Sequence, residues 1–462
     1  MLVIPPGRAW IEPRVHPQWG PLLDVAIIGA GMAGLSAAFA LKRLGVRRIG
    51  IFDRSPAGFE GPWATYARME TLRSPPELAG PSLGIANLTF RAWFEAQFGR
   101  EEWKKVHRIP RLQWMDYLRW YRRVLDVPVE NDTELVDLAG DADAVRLTLR
   151  GAAGTRIVAA RRVILANGRD AFGGPYIPPL FRNFDRRYGA HTSDAIDFAA
   201  LRGKVVGVIG VGASGVDNAA ESLETGAARV AMIARRADIP HVNKGKGIGS
   251  PGLWHGFYRL TPAERLAIVR YIDGQGVPPP HGSMLRCSRH PNFTIISKCT
   301  PQAVAIEDGR VVLDTTRGRL AFDFLIFATG FTVDWSQRPE FAALAPHVAL
   351  WRDRFKPNDD DYFPGDHPFV GPYFEFLEKE PGTAPWVERI SCFTYSAFPS
   401  HGPITGDVPG ISAGAGRAAE GVAGALFAEE FDNTFRRLQN WDDPELYEDD
   451  YVLDQNVEAF YA

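Results

Sequence analysis

The chain is 462 residues long, 45% hydrophobic and 23% charged, which suits a globular protein of two domains and excludes extended disorder. Its 52 basic and 55 acidic residues leave a net charge of -3, which gives no electrostatic footprint for nucleic acid. The three cysteines, Cys287, Cys299 and Cys392, stand far apart; this excludes a disulfide framework, a zinc site and a C-x-x-C redox pair, and fits a reducing, cytoplasmic location with no metal site.

Residues 1–22 contain Pro5, Pro6, Pro13 and Pro17 and read as an irregular surface arm, not as a signal peptide. No run of about 18 apolar residues offers a membrane span. The apolar run Asp24–Ile28 predicts a buried strand. The turn Gly29-Ala30-Gly31-Met32-Ala33-Gly34 and a helix from Leu35 to Leu44 follow, then a strand Ile49–Phe52 ending at Asp53. Trp114, Tyr117, Leu118 and Tyr121 share one face of a later helix. Val163–Leu165 is a further strand, ending in Ala166-Asn167-Gly168. The first pattern then recurs: strand Val205–Ile209, turn Gly210-Val211-Gly212-Ala213-Ser214-Gly215, helix Val216–Glu224, strand Val230–Ala234. Leu325–Phe327 with Ala328-Thr329-Gly330 repeats the returning strand. From Phe331 to about His401 the sequence is loop-rich, Ala415–Glu430 reads as a late helix, and the acids between Asp442 and Asp450 read as a solvated tail.

Each glycine turn carries a mechanism. Gly29 permits the tight turn, Gly31 admits a pyrophosphate to the backbone, and Gly34 lets the helix sit close to the strand. The helix N-terminus offers free N–H groups to phosphate, and Asp53 is placed to accept from ribose hydroxyls. Gly210, Gly212, Ser214 and Gly215 repeat the cradle, but Arg235 and Arg236 stand where the first unit has its acid. Arginine there favours a 2′-phosphate. The expected cofactors are therefore FAD at the first turn and NADPH at the second. The expected fold is α/β: a discontinuous FAD-binding domain (23–175 and 326–440) with an inserted NADPH-binding domain (176–325), an N-terminal arm (1–22) and an acidic tail (441–462).

In order and combination, Gly29–Gly34, Gly61-Pro62-Trp63, His191-Thr192-Ser193-Asp194, Gly210–Gly215 and Phe327-Ala328-Thr329-Gly330-Phe331 resemble the class B flavin-dependent monooxygenases. That family includes flavin-containing monooxygenases, Baeyer–Villiger enzymes and microbial N-hydroxylases. The resemblance implies that NADPH reduces FAD, that NADP⁺ stays bound, and that a flavin C4a-(hydro)peroxide oxygenates a small substrate with molecular oxygen. It also implies a flavin contact at Trp63. Asp407, ahead of the late helix, either bonds the flavin chain or caps a turn. Asp185, Arg187 and Ala195 depart from the fingerprint around His191, which reads as a structural hinge, and Glu60 replaces a glycine expected before Trp63. Thr71-Leu72-Arg73-Ser74-Pro75 and Asp116-Tyr117-Leu118-Arg119-Trp120 resemble the N-hydroxylating members. N-hydroxylation of an amine or amino acid is thus the expected activity, with Arg73, Asn243 and Lys244 as candidate substrate contacts and no side chain assigned to catalysis. Sulfur or ketone oxygenation, an NADPH oxidase or reductase without oxygenated product, and a non-enzymatic redox sensor remain as alternatives. A homo-oligomer is compatible with the sequence.

Overall fold

Two parallel sheets, each fed by one glycine turn, organise the computed structural model, which describes residues 9–356, 363–451 and 458. In the first, strand Gly20–Ile28 runs parallel to Ile49–Phe52 on one side and Gly154–Leu165 on the other. Ile390–Cys392 pairs parallel with the outer end of Gly154–Leu165. Val25, Ala26 and Ile27 are wholly buried, as an apolar run covered on both faces must be. An antiparallel meander, Glu134–Gly140 and Val145–Gly151, extends this sheet through Gly154–Leu165.

The strand starts earlier than the expected Asp24. Leu22 and Leu23 pair with Ala159 and Ala160, and Val15–His16 folds back on Gly20–Pro21 as a short hairpin. Part of the region read as an irregular arm is therefore sheet, because the long strand Gly154–Leu165 provides backbone partners that no local pattern reveals. The two helices after the glycine turns also start early, at Met32 and Ala213, since each turn's last glycine lies inside the first helical turn.

The second sheet is parallel, in the order Phe293–Ile296, Arg229–Ile233, Val205–Ile209, Phe324–Phe327, Gly189–His191. Three helices, Pro251–Gly256, Pro262–Gln275 and His281–Ser288, are inserted before its edge strand. The chain leaves the first sheet through Gly173–Pro175 and returns through Phe331–Val333, and these two crossings pair antiparallel. The helix Ile411–Glu429 closes the first unit. Its small buried residues Ala415, Ala418 and Ala419 let it lie close against the helix Met32–Arg43.

Contacts that join the units include Arg73 paired with Asp217 at 3.2 Å, Arg286 donating to the Arg68 carbonyl at 3.2 Å, Arg265 donating to the Ser400 carbonyl at 2.8 Å, and Arg417 donating to the Trp254 carbonyl at 3.0 Å. No helix among the described residues is long and apolar enough to cross a membrane.

Candidate active site between two dinucleotide cradles

At the first turn, Gly29 has φ +98°, and a Cβ there would overlap the Ala166 carbonyl. A Cβ on Gly34 would overlap the Gly29 carbonyl oxygen. Both glycines are thus required by the protein's own packing. Gly31 differs: a Cβ there would meet only Gly61, at 3.8 Å, an ordinary contact. It is the N-cap of a twelve-residue helix and has no side-chain cap, so the first N–H groups remain free for an anion. Asp53 is buried and lies over the turn, accepting from Ala30 N and Ser55 N, both at 2.7 Å. Each carboxylate oxygen retains a lone pair for a further donor.

Two observations test whether FAD fits. Asn167 Oδ1, beside Gly29, is buried with no hydrogen-bond partner, an acceptor suited to a ligand hydroxyl. A cavity of about 560 Å³ opens on Ala30 and Gly31 and is lined also by Gly58, Glu60, Arg119 and Arg122. The free helix terminus, the acid, the unmatched acceptor and the basic cavity suit a dinucleotide bearing a diphosphate. Glu60 does not obstruct it. Its carboxylate accepts from Arg122 at 2.6 Å, Asn131 at 2.7 Å and Gly58 N at 2.9 Å, so it anchors the loop that carries Gly61 and Trp63. Trp63 packs edge-on against Trp114 with ring centroids 6.3 Å apart, and its carbonyl accepts from Arg111 at 2.6 Å.

The second turn repeats this logic. Gly210 has φ +108°, and a Cβ would lie 2.6 Å from the Ala328 carbonyl oxygen; a Cβ on Gly215 would lie 2.8 Å from Gly210 O. Gly212 faces open space and, like Gly31, is an uncapped helix N-cap, with Ser214 exposed beside it. Arg235 is exposed and makes no hydrogen bond or ion pair among the described residues, whereas Arg236 lies along Gly276 and near Asp273. A free guanidinium at the end of the second strand suits a 2′-phosphate.

Among the described residues, no hydrogen bond or ion pair joins Arg73 to Asn243 or Lys244. Arg73 is held by Asp217, whose other oxygen accepts from Ser283 at 2.6 Å. Asn243 caps the 3₁₀ stretch Lys244–Ile248 with its carbonyl, and Lys244 is exposed. A different group gathers around the turn after Asn167-Gly168. The Arg169 guanidinium lies 4.2 Å from the centre of the Tyr395 ring, and Arg54 approaches Asp170 at 3.6 Å. Burial and the Asp170 charge raise the Tyr66 hydroxyl above its ordinary pKa. Asp407 is exposed; desolvation by the protein around it raises its pKa while the Arg169 charge opposes this. Asp407 precedes the 3₁₀ turn Val408–Gly410 and does not cap it with its side chain. The sequence reading did not single out Tyr66, Arg169 or Tyr395. The available signal was the polar run directly after the strand that borders the first glycine turn.

His191 is fully buried. Its Nε2 bonds to the Gly330 carbonyl at 2.9 Å and its Nδ1 to Ser193 Oγ at 2.7 Å, and burial lowers its pKa, so it is a neutral brace between the strand Gly189–His191 and the turn after Phe324–Phe327. The three cysteines are free, buried and separate, and burial pushes the Cys287 and Cys392 thiols up to about 12. Neither of these two is available as a thiolate for disulfide exchange.

The profile of the pyridine nucleotide-disulphide oxidoreductase family matches residues 26–246. A FAD-dependent urate hydroxylase of Xanthomonas campestris pv. campestris is 40% identical over 428 residues, 92% of this chain and 90% of that protein. Among solved structures, the ornithine hydroxylase of Pseudomonas aeruginosa superposes with a TM-score of 0.65 at 17% identity, covering 88% of this chain and 99% of that one. The L-lysine 6-monooxygenase of Pseudomonas syringae gives 0.66 at 19% identity, covering 87% and 99%. These two share the fold. The 40% identity with the urate hydroxylase over 92% of the chain, together with the family profile and the shared fold, places the chain: it belongs to the class B flavin-dependent monooxygenases, oxidoreductases that use FAD and NADPH.

Proposed function

We propose that the chain is an NADPH- and FAD-dependent hydroxylase of urate or a closely related oxopurine. The observation that carries this reading is the 40% identity to a urate hydroxylase over 92% of the chain and 90% of that protein. Bound FAD, reduced by NADPH, would supply oxygen activation, with one oxygen atom entering the substrate and the other leaving as water. The chain's own part is to bind and orient. Gly31, the free helix N-terminus and Asp53 would hold the ADP half of FAD, with Trp63 and Asp407 towards its flavin end. Gly212, Ser214 and Arg235 would hold NADPH. Arg169, exposed and 4.2 Å from the centre of the Tyr395 ring, offers a planar cation, which suits a planar anion such as urate.

N-hydroxylation of an amino acid is the second reading, favoured by the shared fold and by the segments around Arg73 and Asp116. Against it, Arg73 is already paired with Asp217 and is not free for a substrate carboxylate. The two are separated by following NADPH consumption, hydrogen peroxide release and product mass with urate, ornithine, lysine and cadaverine. The expected result is consumption coupled to an oxygenated product with urate alone. Coupled turnover with an amine and none with urate would reverse the assignment.

A further inference from the structure

The helix Ile411–Glu429 ends at Glu430 and the helix Phe431–Gln439, a short rod with no buried residue, starts at once. Along the rod, Phe431, Phe435 and Leu438 follow a spacing of four and three. At about 100° per residue they share one stripe, the pattern of a helix made to pack on another helix. Yet in the single chain they remain 63%, 47% and 69% exposed. The Phe431 and Phe435 rings stack with centroids 5.8 Å apart and an interplanar angle of 11°, making a flat apolar platform. The rod is anchored on a different side: Arg437 donates to the carbonyls of Ala9 and Trp10, and Glu430 pairs with the buried Arg161.

Beside the stripe stand Asp432 and Arg436, both exposed. They are four residues apart, a spacing that commonly pairs within a helix. Among the described residues neither makes an ion pair.

We propose that this rod is the interface between two copies of the chain, packed antiparallel about a two-fold axis at the level of Thr434. Such an axis lays the stripe on itself, and self-complementarity is what an isologous interface requires. Phe431 of each copy then lies towards Leu438 of the partner subunit, and Asp432 comes level with Arg436 of the partner subunit, which neutralises both charges. The charges favour this occupant over a lipid surface. The stripe is followed by Asp442, Asp443 and Glu445, where binding to anionic lipid needs a basic flank. The inference is independent of the substrate reading.

The test is the mass of the full-length flavoprotein in solution, by sedimentation equilibrium at micromolar concentration. The wild type is expected at twice the 51.1 kDa of one chain. Phe431→Glu with Phe435→Glu should give the mass of one chain, with flavin content and NADPH turnover retained. Asp432→Arg alone and Arg436→Asp alone should each weaken the dimer about tenfold or more, whereas the double swap should restore it. A monomeric wild type, a double-glutamate variant that stays dimeric, single charge variants without effect, or a double swap that fails to recover would each overturn the proposal.

Discussion

At the scale of single residues, the glycines of each turn divide into those the fold needs and those a ligand needs. Gly29 and Gly34 abut backbone, so alanine at Gly34 should prevent folding even without cofactor. Gly31 has room for a side chain in the protein itself. Gly31→Val should therefore yield folded but colourless protein, with a thermal midpoint equal to that of flavin-stripped wild type. A Gly31→Val protein retaining stoichiometric flavin absorbance would refute a pyrophosphate at this turn. Arg235 supports a similar argument for the second cradle. A charge-assisted bond to phosphate contributes about 1.5–3 kcal/mol, so Arg235→Ala should weaken NADPH about 10- to 150-fold. NADH, lacking the phosphate, should be nearly unaffected. Arg236→Ala should act less on selectivity, because that side chain already lies against Gly276 and Asp273. Equal losses for both nucleotides in the Arg235 variant would exclude it as the phosphate reader.

At the scale of elements, the inserted unit is held to the flavin unit by polar contacts of one element on another. The segment carrying Arg73 meets the helix Ala213–Glu224 at Asp217, whose side chain is only 3% exposed. Removing the guanidinium leaves that carboxylate with the Ser283 hydroxyl as its remaining hydrogen-bond donor. Arg73→Ala should cost about 1–3 kcal/mol, read from the urea midpoint, because a buried charge loses its partner. Adding Asp217→Asn should recover part of that loss, since the charge itself is then gone. If the double variant were less stable than Arg73→Ala, the pair would not be the source of the effect. The same pairing ties Arg73, read from sequence as a candidate substrate contact, to the helix Ala213–Glu224.

At the scale of the whole molecule, acid should destabilise the fold in a predictable direction. His401 is fully buried, with Nε2 bonded to the Gly371 carbonyl and Nδ1 facing Arg417. Burial, aided by the charges of Arg417 and Arg265, pushes its pKa down to about 3. The unfolded chain takes up this proton near its ordinary pKa of about 6.5, and the folded chain does not until far lower. The neutral histidine therefore favours the fold above that pH, and the advantage is lost as pH falls, by up to about 1.4 kcal/mol per unit. His191 and His367, also lowered by burial, act in the same sense. The urea midpoint should fall between about pH 7 and about pH 5, and His401→Gln should flatten that slope. A midpoint constant over the range would contradict a buried neutral His401.

The sequence by itself determined the two strand–glycine turn–helix–strand units, the returning strands and the acid-versus-arginine contrast that ranks FAD and NADPH. These are local: a glycine turn, a helix cap and an alternation of burial are written within about 30 contiguous residues. The tertiary structure decided what depends on residues distant in the chain. Leu22 and Leu23 become strand because Ala159 and Ala160 lie beside them. Arg73 is paired with Asp217, 144 residues away, and Glu60 anchors the loop of Gly61 and Trp63 because Arg122 and Asn131 reach it. Arg169 meets Tyr395 only after the final strand Ile390–Cys392 returns to the first sheet. Hydrogen bonds, ion pairs and ring contacts between distant side chains leave no periodicity in the sequence, so the cradles were legible in it and the walls of the site were not.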